Sequence, residues 1–135
     1  MSAGAWTPIE SYADAAARSY LAAIVLEDIG DPSTSGHLYG VAAECAVKAH
    51  LQSAGITIDR PLKVHFPLLT QAVNLHGQSR TMMPLLGLLL EGPPELLEGY
   101  SIHSRYAQDG DVDDVRCGEW KNDTKQIMSF CGFSI

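Results

Sequence analysis

The chain lacks paired-cysteine motifs, a surplus of positive charge and any long hydrophobic run, and each absence removes a class of protein. Its three cysteines, Cys45, Cys117 and Cys131, make no CxxC pair, and the step from Cys117 to Cys131 fits no zinc-ligand spacing. An odd cysteine count predicts ordinary buried thiols in a reducing compartment. The start, Met1 to Trp6, shows no cationic region leading into an apolar stretch, so a cytoplasmic, bacterial-style protein is expected. The longest apolar run, Pro84 to Leu90, is far short of the roughly 20 residues that cross a bilayer. Nine basic against sixteen acidic residues give a formal charge of −7, which argues against a strongly electrostatic nucleic-acid binder. No GxSxG, P-loop, GxGxxG, internal repeat or low-complexity tract is present.

What is present is a composition for one packed domain. With 135 residues, 46% of them apolar and 19% charged, the chain has enough material for a core and too much for disorder. A single domain over residues 1–135 is expected, its core spanning about 8–131.

The apolar spacing is helical throughout. Thr7-Pro8-Ile9-Glu10 reads as a capping box with proline at the first helical position. The helix it opens runs to Ile29, with Tyr12, Ala15, Ala16, Ser19, Ala22, Ala23 and Leu26 on one stripe and Gly30 as the stop. Asp31 to Gly36 is a turn and capping cluster, after which a second helix spans about His37 to Ser53. Leu38, Val41, Ala42, Cys45, Ala46 and Ala49 share its predicted inner face, with His37, Glu44 and Lys48 on a flank. A connector follows from Ile56 to Phe66. A third helix is expected from Pro67 to about His76, with Leu68, Leu69, Ala72 and Val73 inward. Thr81 to Glu91 reads as a short apolar helix, and Glu95 to Glu98 as a further turn. Tyr100 to Asp111 is irregular. The last helix is expected from Asp113 to Cys131, burying Val115, Trp120, Thr124, Ile127, Met128 and Cys131. The fold class is therefore all-α, a four- to five-helix up-and-down bundle.

Few side chains stand out chemically. Asp109 to Asp114 resembles the opening of a calcium loop, but Asp114 and Trp120 stand where that loop needs glycine and glutamate, so the string reads as a helix-capping acidic turn. The histidines, His37, His50, His65, His76 and His103, form no i, i+4 pair, and neither a metal nor a cofactor is expected. Glu44 and Lys48 have the order that supports an exposed helix. Alternatively, with His37, they border a groove or a subunit contact. Arg105, followed by Tyr106, is placed to hold an anion or to pair with Glu44 or a helix C-terminus.

The stretch His37-Leu38-Tyr39-Gly40-Val41-Ala42-Ala43-Glu44-Cys45-Ala46-Val47-Lys48-Ala49 resembles the HEPN domain family, whose second helix shows an HLxGxAAECALKALL segment. The His65 to Leu69 stretch and Arg105-Tyr106 agree, so the resemblance covers about residues 8–131. It implies a bundle of four or five helices, commonly a homodimer, with RNA or nucleotide binding and a nucleotidyltransferase partner in toxin–antitoxin modules. Ribonuclease members carry an arginine, four to six residues, then a histidine near the last helix. After Arg105 those positions hold Gly110, Asp111 and Val112, and an acidic turn there repels phosphates. Arg60 and His65 have the spacing but lie in the connector.

The leading expectation is thus a non-catalytic, dimeric nucleotide- or RNA-binding accessory, with Arg105, Tyr106, Glu44, Lys48 and His37 nearest any groove. The alternative is a metal-independent ribonuclease with Arg105 or Arg60 as phosphate clamp and His65 or His103 as acid/base.

Overall fold

The computed structural model describes residues 11–55, 65–66, 69–70, 83–89, 96–101 and 110–135. Among them every regular element is helical and none is a strand: α1 (Tyr12–Asp28), α2 (Pro32–Ser53), α3 (Met83–Leu89) and α4 (Asp114–Phe130). No helix among the described residues is long and apolar enough to cross a membrane.

Helix ends follow local chemistry. The extended Ser11 caps α1, its side chain accepting from the Asp14 N–H at 3.2 Å. The helix therefore starts at Tyr12, a turn later than a Thr7 cap predicts, and residues 7–10 lie outside the described residues. At the other end, Gly30 takes a positive φ of 86°, and the Asp31 N–H donates to the Leu26 carbonyl at 2.9 Å. This closing bond needs a left-handed residue that glycine adopts without strain. Asp31 then caps α2, accepting from the Thr34 N–H at 3.1 Å, with Pro32 at the first position. The expected turn cluster is thus already helix, and α2 begins five residues before His37. Asp113 caps α4 by accepting from the Arg116 N–H at 2.8 Å, so the acidic string does serve as a helix cap.

The helix α2 is the central rod, packed by α1 on one side and α4 on the other. Its buried arc is correspondingly wide. Tyr39, Ala43, Val47 and Leu51, at every fourth position, are fully enclosed, as are Ala42 and Ala46. Leu38, Val41, Cys45 and Ala49, expected inside, are only half-buried, while the flank of His37, Glu44 and Lys48 lies inside. A helix contacted on two sides buries more than one stripe, which rotates the inner face away from the one that hydropathy alone picks.

Polar ties join the rods. The Ser35 hydroxyl donates to the Ala23 carbonyl at 2.7 Å, and the Thr124 hydroxyl to the Tyr39 carbonyl at 2.9 Å, both in the core. On α4, Cys117, Trp120, Thr124, Ile127 and Met128 are buried; Cys131 is half-buried. Val115, expected inside, is 70% exposed, because it lies across the helix from Cys117. Leu69 is helical and buried, as expected of the third helix, most of which lies outside the described residues. The short α3 begins with Pro84 near its first turn and buries Leu85 and Leu89.

Candidate functional site

Gly40, Glu44 and Lys48 succeed one another at four-residue steps and so share one face of α2. Gly40 makes room. A Cβ there would fall within the Tyr100 ring, so glycine lets that ring lie against the helix. Tyr100 arrives from a turn bolted onto α4: the Asp123 carboxylate accepts from the Leu97 N–H at 2.8 Å, and the Glu98 carbonyl accepts from Trp120 Nε1 at 2.9 Å. Leu97 itself has φ of 60°, unusual for a side chain of its size, and is buried. The Tyr100 ring meets Trp120 edge-on at 5.5 Å and His37 at 6.2 Å.

Beyond the ring stands Glu44, 4% exposed. One carboxylate oxygen, Oε2, faces His65 Nδ1 at 2.6 Å and Lys48 Nζ at 3.3 Å; the other, Oε1, accepts from the Phe66 N–H at 3.0 Å. Lys48 is equally buried, its ammonium 5.6 Å from the centre of the Tyr12 ring. A carboxylate this deep is tolerable only when paired and hydrogen-bonded, and both conditions hold. The expectation that Glu44 and Lys48 support an exposed helix face is therefore corrected. They form an interior pair that clamps residues 65–66 to α2.

His65 is different, its side chain 47% exposed. A carboxylate holding one ring nitrogen of a solvent-facing imidazole fixes its orientation, the arrangement acid–base catalysis uses. The Tyr100 hydroxyl is buried with no hydrogen-bond partner among the described residues. Burial, reinforced by Glu44 and Cys45, raises it well above the ordinary tyrosine value, so it remains protonated.

The structure thus brings together Glu44, Lys48 and His65, with His37 beside the Tyr100 ring. Arg60, His103, Arg105 and Tyr106 lie outside the described residues. Sequence reasoning gives Tyr100 no role and places Tyr12 only on the packing stripe of the first helix. The glycine at position 40 of a well-formed helix was a usable signal that a bulky ring presses there.

Other groups offer less chemistry. Burial raises all three thiols, Cys131 to about 12, which is the opposite of nucleophile activation. A cleft of about 580 Å³ separates the starts of α2 and α4, lined in part by Asp31, Ser33, Val112 and Asp113. Asp31 and Asp113 are engaged there as helix caps. Among the described residues, no three His, Cys, Asp or Glu side chains converge as a metal site would need.

Compared with known proteins, the chain matches no family model, no curated protein and no solved structure.

Proposed function

We propose that this chain is a HEPN-type helical domain acting without catalysis in a bacterial cytoplasm. In this reading it is a homodimeric RNA- or nucleotide-binding accessory to a nucleotidyltransferase in a toxin–antitoxin-like module. The observation that supports a non-catalytic role is the occupancy of Glu44: its carboxylate meets Lys48, His65 and the Phe66 N–H inside the fold. The most distinctive part of the family-like segment is thereby accounted for by architecture, with no need of a substrate.

A second reading has its own support. The 2.6 Å contact from Glu44 to the half-exposed His65 is how a general acid/base is oriented. A metal-independent ribonuclease would add Arg60 or Arg105 as the phosphate clamp, with His103 as the other candidate histidine.

One experiment separates the two. Purified protein is incubated with RNA in chelator, alongside His65→Ala, His103→Ala and Arg105→Ala variants, and RNA binding is measured on the same samples. The accessory reading expects binding without cleavage, weakened in Arg105→Ala. Cleavage that disappears with one histidine establishes the ribonuclease, and neither binding nor cleavage removes both readings.

A further inference from the structure

On α1 the residues Asp14, Arg18, Leu21, Val25 and Asp28 recur at alternating steps of four and three, the spacing of a coiled-coil seam. They lie opposite the inner residues Ala16, Tyr20 and Ala23. Leu21 is 64% exposed and Val25 59%, and Ile29 beside them is 72% exposed. Single exposed aliphatic residues are ordinary, but three on one ridge of one helix form a contiguous apolar strip. Arg18 and Asp28 flank Leu21 and Val25 along the seam, are exposed, and make no ion pair among the described residues.

The ordering of these charges selects the occupant. If a second α1 lies antiparallel on the strip, with the two-fold axis at the level of residue 23, Leu21 of each copy meets Val25 of the other. Arg18 of each copy then meets Asp28 of the other. A parallel pairing would set Arg18 against Arg18 and Asp28 against Asp28. The strip is therefore complementary to itself only when the two-fold axis runs perpendicular to the helices, which makes the contact isologous and antiparallel. We propose that Arg18, Leu21, Val25 and Asp28 form the seam of an antiparallel contact between α1 and the α1 of a second copy of this chain. The proposal names a surface for the homodimer suggested above and rests on that reading. One helix pair gives a small interface, so the dimer dissociates on dilution.

Sedimentation velocity from about 1 to about 300 µM protein spans the dissociation constants that small interfaces give. The wild type is expected to pass from monomer to dimer within that range. Val25→Glu places a carboxylate in the apolar strip and should weaken the dimer roughly a hundredfold. Arg18→Glu alone, or Asp28→Arg alone, sets like charges together twice and should weaken it about tenfold. An equimolar mixture of those two variants restores both opposite-charge contacts and should recover wild-type affinity. Circular dichroism of each variant keeps its helix content, since every substituted side chain is exposed.

A wild type that stays monomeric throughout overturns both the seam and the dimer reading. A dimer indifferent to Val25→Glu overturns the seam and leaves dimerisation standing on another face. A mixture no tighter than its components overturns the antiparallel register.

Discussion

Two glutamates show how burial changes what the same chemistry does. Glu27 on α1 and Glu44 on α2 each meet a lysine. Glu27 accepts from the Tyr39 hydroxyl at 2.6 Å and faces Lys121 at 3.2 Å, linking α1 to α2 and α4. Its side chain and that of Lys121 are each 30% exposed, so water shares in satisfying them. The side chains of Glu44 and Lys48 are each 5% exposed, and protein groups take the place of solvent. The outer cluster is an adjustable brace between helices, whereas the inner one is a fixed clamp whose members depend on each other.

That contrast breaks first at Glu44. Removing its carboxylate leaves the Lys48 ammonium buried and unpaired and frees the Phe66 N–H, so Glu44→Ala should cost about 3–5 kcal/mol in urea unfolding. Next comes Gly40→Ala. The added Cβ competes with the Tyr100 ring, and the forced shift should cost about 1–3 kcal/mol, measured the same way. The outer cluster should respond least: Lys121→Ala removes a partly solvated ion pair and should change stability by at most about 1 kcal/mol.

Acid sharpens the comparison. The Tyr39 hydrogen bond, with a lesser contribution from Lys121, holds the Glu27 carboxyl below the usual glutamate range, against the opposing effect of partial burial. A carboxyl depressed on folding stabilises the native state above its unfolded pKa, and that stabilisation is lost as pH falls through the folded value. The free energy of unfolding, followed from about pH 5 to about pH 3, should therefore fall less steeply in Tyr39→Phe than in the wild type.

Helix ends were readable because their causes are local. Asp113 and Gly30 each declare a boundary within a few residues and the structure uses both, whereas the start of α2 at Pro32 is hidden in a string that reads as a turn up to Gly36. Where two capping residues compete, as Thr7 and Ser11 do, sequence could not choose between them. The rotation of α2 was harder to see. Ala42, Ala43 and Ala46 are small enough to be enclosed on any side, so hydropathy fixed the period of the helix but not its phase. The decisive residues came from elsewhere in the chain: His65 and Phe66 reach Glu44 across more than twenty positions, and Tyr100 reaches Gly40 across sixty. Periodicity alone places Glu44 on a flank of α2, because the groups that enclose it are contributed by distant parts of the chain.

The most direct measurement is a double-mutant cycle on the inner clamp, using Glu44→Leu, Lys48→Met and the pair together. An interior ion pair predicts that the paired change costs well below the sum of the two single changes, with a coupling energy above about 2 kcal/mol. Single effects below about 1 kcal/mol that simply add would place Glu44 and Lys48 in solvent and contradict the clamp.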